Sequence, residues 1–365
     1  MNLGVDPTTG KSKQQWISVK GTKKEAERKL SELLHQIDTG TFLKHKKILV
    51  ADFLERWLEN HRPNLSPRGF ERYEGIVRRH LIPDLGSIPL AALRPEHLQE
   101  HYTAKLKNGL STKTVGYHHI VLHAALKTAV RWGLVGRNVA DAVTPPRVQR
   151  TEMQTWDEED IHRFLEAAKD TPYYTLFYTA LFTGMRRSEF LALRWQDVDF
   201  IFSQICVIRS LHQLKDSSYV FTEPKSTRSR RTIALSPSTI LLLKEHKKEQ
   251  EVTRDMLGIT LADHELVFAH LDGKPLRPNS VTRAWKKLAV RASLKPIRLH
   301  DARHSHASLM LKQGIHPKIV QERLGHSSIQ ITLDTYSHVA PGLQQAAAER
   351  FDELLNSRCE KEPVE

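Results

Sequence analysis

The sequence predicts a multidomain, mainly α protein: a small β-sheet-plus-helix N-terminal unit, an all-helical middle domain, and a larger α+β domain. Three observations carry that expectation. The 365 residues suffice for two or three domains, each with its own core. Residues 48–148 place apolar side chains at three-to-four spacing throughout. From about Phe200 the period shortens to strand-like runs, and helical spacing returns at Ser238.

Residues 1–47 form a basic unit, with ten Lys and Arg against five Asp and Glu. PTTGKSK reads as a turn, its Pro and Gly setting the backbone. QQWISVK, with Trp16 and Ile17, reads as a strand. KKEAERKLSELLHQI reads as a helix with Ala26, Leu30, Leu33 and Leu34 on one face. One strand and one helix are too little for a stable domain. Either MNLGV is the tail of another strand, or the unit is truncated.

In residues 48–148, VADFLERWLENH, PRGFERYEGIVRRHLI, PEHLQEHYTAKL and the run from Ser111 to Trp132 are helical. Ser111 is a good start for the last, and Gly133 a good stop. Arg68, Arg72, Arg78, Arg79, Lys105, Lys107 and Lys113 lie on polar faces, where cations can track phosphates. Pro145-Pro146-Arg147 with Arg150 reads as a basic linker. Within residues 151–350, PYYTLFYTALFTG is a buried helix ending at Gly184, and a second helix begins near Arg186. DFIFSQICVIRS, SSYVFTEPK and RRTIALS are the strand-like runs. LQQAAAERFDELL is a last amphipathic helix, and residues 351–365 are the tail.

Hydrophobic residues at 39% and charged residues at 27% are ordinary for a soluble chain. The net charge of +13 is not. It points to a polyanionic partner, nucleic acid first and an anionic membrane surface second. The two cysteines, Cys206 and Cys359, make neither a disulfide framework nor a zinc set and fit a reducing cytoplasm. No apolar run approaches eighteen residues, which argues against a membrane span.

Cleaving a phosphodiester without a metal needs fixed cations, a nucleophile, a base and an acid. Guanidinium groups hold phosphate oxygens with two parallel hydrogen bonds and stay charged. Arg186 lies in TGMRRSE, just past a glycine break. Arg303 follows His300 by one helical turn. His326 follows Gly325, which ends a short helix and frees the imidazole to point elsewhere. Tyr336 is a candidate nucleophile, its phenol having an ordinary pKa of about 10 that nearby cations would lower. Lys225, in EPKSTRSRR between two strand-like runs, is expected on a mobile hairpin, able to serve the leaving oxygen as general acid. Singly, each has a structural reading: a surface charge, a core histidine, a packed aromatic. Their joint occurrence shifts the reading toward chemistry.

TGMRRSEFLALRW, the lysine of EPKSTRSRR, HDARHSHASLML and LGHSSIQITLDTYSHV follow one another over about 150 residues. In that order they resemble the tyrosine recombinase (phage integrase) family, in particular integrases of temperate phages and integrative conjugative elements. The resemblance implies six catalytic residues: Arg186, Lys225, His300, Arg303, His326 and the nucleophile Tyr336. It implies that Glu189 supports the site, and that no metal or cofactor is used. It implies a SAM-like core-binding domain at 48–148, a tyrosine-recombinase catalytic domain at 151–350, and an arm-type DNA-binding unit at 1–47. In the family a strand precedes the GVDPTTGK turn, so the completeness of that unit stays open.

The activity implied is site-specific exchange of double-stranded DNA at attachment sites through a 3′-phosphotyrosyl link. The implied assembly is a homotetramer, with accessory DNA-bending or excision proteins, in the cytoplasm. Three rivals stand beside it. One is a type IB topoisomerase. Another is a non-catalytic DNA-binding regulator. The last is a metal-dependent nuclease using His300, Asp301, His304, His306 and His326. Against the nuclease, carboxylates are scarce there and Arg303 would repel a cation.

Overall fold

The structure, a computed structural model, describes residues 2–5, 12–14, 21–38, 48–148, 153–223, 230–258, 262, 264–336, 348–349 and 351–352. The chain divides into two compact units, Met1–Arg150 and Thr151–Glu365.

In the first unit, β1 (Asn2–Val5) pairs antiparallel with β2 (Ser12–Gln14). MNLGV therefore supplies a strand. β2 begins inside the stretch expected as a turn, while Trp16 and Ile17 lie outside the described residues. Helix α1 (Lys23–Asp38) follows, with Glu25 accepting the Thr22 amide at 2.7 Å.

The helical part comprises α2 (Val50–His61), α3 (Pro67–Ile76), α4 (Ile82–Leu85), α5 (Pro95–Lys107) and α6 (Thr112–Arg131). Ser66 and Ser111 cap α3 and α6 by accepting the amides of Gly69 and Thr114. Their apolar faces meet in one core containing Phe53, Trp57, Leu81, Leu98, Val115 and Leu122. PRGFERYEGIVRRHLI is not one α-helix: Val77–Leu81 forms a π-helical turn between α3 and α4. Pro83 has no amide to give the carbonyl four residues back, and the ladder shifts where that donor is missing.

The second unit runs α7 (Glu158–Ala168), α8 (Tyr174–Thr183) and α9 (Arg187–Phe190), then strands, then α10 (Pro237–Asp255) and α11 (Pro278–Arg291). It closes with α12 (Asp301–Lys312), α13 (Pro317–Leu324) and α14 (Ile329–Tyr336). The strands are β3 (Val198–Asp199), β4 (Gln204–Val207), β5 (Ser210–Gln213), β6 (Tyr219–Thr222) and β7 (Arg231–Ala234). β3–β4–β7 form one antiparallel sheet, with Ile205 opposite Ile233, and β5–β6 a second. Among the described residues β6 and β7 do not pair with each other. Lys225, expected on a hairpin between them, lies outside the described residues.

Packed rings of Trp156, Phe164, Phe177 and Trp285 tie α7, α8 and α11 together, with the Trp285 centroid 4.3 Å from Phe164 and 4.9 Å, stacked, from Trp156. Both indole N–H groups donate to backbone carbonyls just before α12, Trp156 to Lys295 and Trp285 to Ile297. The core thus fixes the chain entering α12. Of LQQAAAERFDELL, only helical residues 348–349 and 351–352 are described. Among the described residues no helix is long and apolar enough to cross a membrane.

Candidate active site

The site begins at the glycine that ends α8. Gly184 has φ +65°, and a Cβ there would lie 2.7 Å from the His306 ring and 2.8 Å from Leu324. Only glycine combines that left-handed turn with so close an approach. The turn sets Arg186 ahead of α9, where Glu189 accepts its amide at 2.8 Å and its Nη1 at 2.7 Å. The next arginine in MRRSE goes elsewhere: Arg187 Nη1 donates to Thr282 on α11 at 2.7 Å.

Arg303, on the first turn of α12, is 2% exposed. Its Nη1 donates to the Gly184 carbonyl at 2.9 Å and its Nη2 to the Leu324 carbonyl at 2.6 Å. Arg186 Nη2 donates to the next carbonyl, Gly325, at 3.3 Å. The two guanidinium groups therefore grip one backbone turn, residues 324–325, from separate helices. Gly325 has φ +68° and ends α13, which turns the chain to His326. His326 Nδ1 meets Thr332 Oγ1 of α14 at 2.9 Å, and Thr332 is fully buried. Gln321 fixes the same turn by donating to the His326 carbonyl at 2.6 Å. His300 precedes α12 and meets the His304 ring edge-on at 5.1 Å.

Electrostatics show that these groups share one field. Burial, then the charges of Arg303 and Arg186, push the His326 imidazole down to about 3. Partial enclosure and Arg303 lower His300, with Arg186 contributing. Both histidines are therefore neutral at pH 7 without a bound anion. Glu189 shows the opposite balance. Its burial opposes ionisation, but hydrogen bonds and charge from Arg231, and then Arg186, hold it down to about 2. Arg186 and Arg231 share the one Glu189 carboxylate, and Arg303 donates to backbone carbonyls, so the cluster carries surplus positive charge suited to an anion.

The structure brings together Arg186, His300, Arg303 and His326 from three separated stretches. α14 ends at Tyr336, whose side chain lies outside the described residues. The would-be metal ligands of HDARHSH are otherwise engaged. Asp301 accepts the backbone amide, Nε and Nη2 of Arg298, and His306 accepts from Arg323 at 3.1 Å. Among the described residues no group of three or more His, Cys, Asp or Glu could hold a metal ion.

Sequence reasoning missed Arg231 and Thr332. Arg231 carried a signal: in RRTIALS it is in phase with Ile233, on the inward side of a strand where an arginine needs a reason. Thr332, one polar residue in a surface-like helix, carried none.

Residues 154–342 match the model of the phage integrase family, and residues 49–107 that of the phage integrase N-terminal SAM-like domain. The chain is 29% identical to the ICEBs1 integrase of Bacillus subtilis (strain 168), spanning 97% of this chain and 96% of that one. A Tn1549 transposon integrase solved in complex with a circular intermediate DNA shares the fold. Its TM-score is 0.69 at 22% identity, covering 83% of this chain and 99% of that one. A lambda integrase solved as a tetramer bound to a Holliday junction matches with TM-score 0.62 at 16% identity, covering 92% of each chain. With these motifs and this fold, the chain belongs to the phage integrase family, the tyrosine recombinases.

Proposed function

We propose that the chain is a site-specific DNA recombinase of a mobile element, cutting and rejoining attachment-site DNA through a 3′-phosphotyrosyl intermediate. The observation that carries this reading is the convergence of Arg186 and Arg303 on the turn that presents His326. Arg186 and Arg303 hold the non-bridging phosphate oxygens as negative charge grows. Tyr336 loses its phenolic proton and attacks phosphorus. The 5′ oxygen leaves with a proton from Lys225. With His326 Nδ1 taken by Thr332, Nε2 is the nitrogen assigned to the phosphate, and His300 handles protons beside it. The free 5′-hydroxyl of a partner duplex then attacks the phosphotyrosyl link and releases Tyr336. One ester replaces another, so bond energy is kept and no nucleotide is consumed.

Under this reading residues 1–47 are an arm-type DNA-binding unit, 48–148 the core-binding domain and 151–350 the catalytic domain. The enzyme works in the cytoplasm, as a homotetramer on two duplexes, with accessory DNA-bending or excision proteins. A lambda integrase tetramer on a Holliday junction supports the assembly.

The test uses a plasmid carrying two copies of the element's own junction, with excess chelator. The reading expects recombinant circles. Relaxed but unrecombined plasmid would mean a topoisomerase, loss of all activity a metal nuclease, and binding without cleavage a regulator.

A further inference from the structure

We propose that Arg231 is a positioning residue for strand cleavage: with Glu189 it locks Arg186 and the Leu324–His326 turn into one rigid frame around the phosphate. The inference rests on the recombinase reading above.

The frame is a closed ring of hydrogen bonds. Arg231 and Glu189 are each only 5% exposed. Glu189 Oε1 accepts from Arg186 Nη1 at 2.7 Å and from Arg231 Nη1 at 3.1 Å. Glu189 Oε2 accepts the Arg186 amide at 2.8 Å and Arg231 Nη2 at 2.8 Å. All four acceptor positions of the carboxylate are thereby filled, two by each arginine. Arg231 then turns its Nε to the Arg323 carbonyl at 2.7 Å. Two residues further on, the Gly325 carbonyl accepts Arg186 Nη2 and closes the ring. The fit is tight on the other side too. A Cβ on Gly325 would lie 2.9 Å from Arg231 Cδ.

One planar group therefore joins α9, β7 and the end of α13, segments far apart in sequence. Lysine can substitute only in part. Its single ammonium cannot make a bidentate pair with Glu189 and also reach the Arg323 carbonyl. Arg231 need not touch DNA to matter. Releasing Arg186 or tilting the His326 turn by about 1 Å is enough to cost a factor of about a hundred in rate.

The charged groups facing this pair come from every side. Arg186 faces Glu189 from the start of α9, and Arg323 and His326 face Arg231 from the end of α13. Removing Arg231 leaves Glu189 buried with Arg186 as its one ionic partner. Its carboxyl then titrates upward, and the grip on Arg186 becomes pH-dependent.

The experiment measures first-order cleavage of a nicked suicide duplex by the full chain from pH 6 to pH 9, with DNA affinity measured in parallel. Arg231→Gln is expected to cleave about a hundredfold more slowly at pH 7 with affinity within a few-fold of wild type. The deficit relative to wild type shrinks as pH rises and Glu189 ionises. Arg231→Lys should recover part of the rate. Adding Glu189→Gln to Arg231→Gln should cost little more and abolish the pH-dependent deficit. Wild-type rates in both Arg231 variants would overturn the proposal, as would a deficit equal at every pH. Should Arg231→Gln fail to bind DNA for want of folding, Arg231→Lys decides by rate alone: a wild-type rate overturns the proposal. Absence of a covalent product with the wild-type chain would instead refute the recombinase reading itself.

Discussion

The molecule holds two clusters of histidines, one in each unit, and they do opposite things. In the helical unit, His101 Nδ1 meets Asp84 at 2.6 Å, and His101 Nε2 meets His118 Nδ1 at 3.2 Å. His80, from the π-helical turn, stacks on His118 at 4.6 Å. His118 is fully buried, and burial pushes it down to about 4, with the neighbouring histidines adding to the effect. In the catalytic unit His300, His304, His306 and His326 are lowered as well, burial again leading. Titration alone does not separate the two. Their partners do. The first cluster ends on a carboxylate that Lys105 also binds, so its charge is already balanced. The second lies in the field of Arg186, Arg231 and Arg303, with Glu189 held by Arg186 and Arg231 and Asp301 already paired with Arg298. Neutral histidines packed by an aspartate hold a core; neutral histidines surrounded by surplus guanidinium groups await an anion.

The contrast breaks most sharply at Arg303. Arg303→Ala leaves the carbonyls of Gly184 and Leu324 without their Arg303 donors and removes the proposed phosphate ligand. Cleavage should fall by about a thousandfold or more, and urea unfolding should show a loss of a few kcal/mol. Retained cleavage would place the reaction centre elsewhere. Next comes Gly184→Ala. The left-handed backbone and a contact under 3 Å should cost about 2–4 kcal/mol, read from urea midpoints. An unchanged midpoint would mean the turn relaxes freely.

The paired test is His118→Asn against His326→Ala. His118→Asn should lose about 1–3 kcal/mol of stability yet cleave at the wild-type rate per folded molecule. His326→Ala should lose about 10–100-fold in cleavage with little change in unfolding. If the two variants behave alike, the distinction between the clusters fails.

A smaller effect is expected from acid. His118 and His306 sit at about 4 and about 3 in the folded chain, below the ordinary histidine value of 6.5. The native state therefore binds fewer protons than the unfolded state at mildly acid pH. Their contribution is complete above about pH 6.5 and is lost as pH falls toward the folded values, by up to ~1.4 kcal/mol per unit for each histidine. Urea titrations at pH 7 and pH 5 should show it, and His118→Asn should flatten the slope. Smallest of all, Arg78→Ala breaks surface pairs with Glu55, Glu59 and Glu74 and should cost under about 1 kcal/mol.

Much of this was legible beforehand. Apolar spacing located α2, α5 and α6 to within a residue or two, because each buries one continuous stripe. Gly184 and Gly325 were legible as helix ends, since few other residues tolerate a positive φ there. The order Arg186, His300, Arg303, His326 carried the chemistry. The pairing of β4 with β7 and of β5 with β6 was not legible, because strand-like runs reveal period and not partner. Nor was the ring through Arg231: the backbone carbonyls that shape it have no side-chain signature.

In the proposed reaction Tyr336 attacks a phosphate held by this arginine cluster. The direct measurement is a denaturing gel of the full chain incubated with a suicide duplex carrying the element's junction. The account predicts a covalent protein–DNA band that protease reduces to a phosphotyrosyl peptide, absent in Tyr336→Phe although that variant still binds the duplex. A covalent band of equal strength in Tyr336→Phe would contradict it.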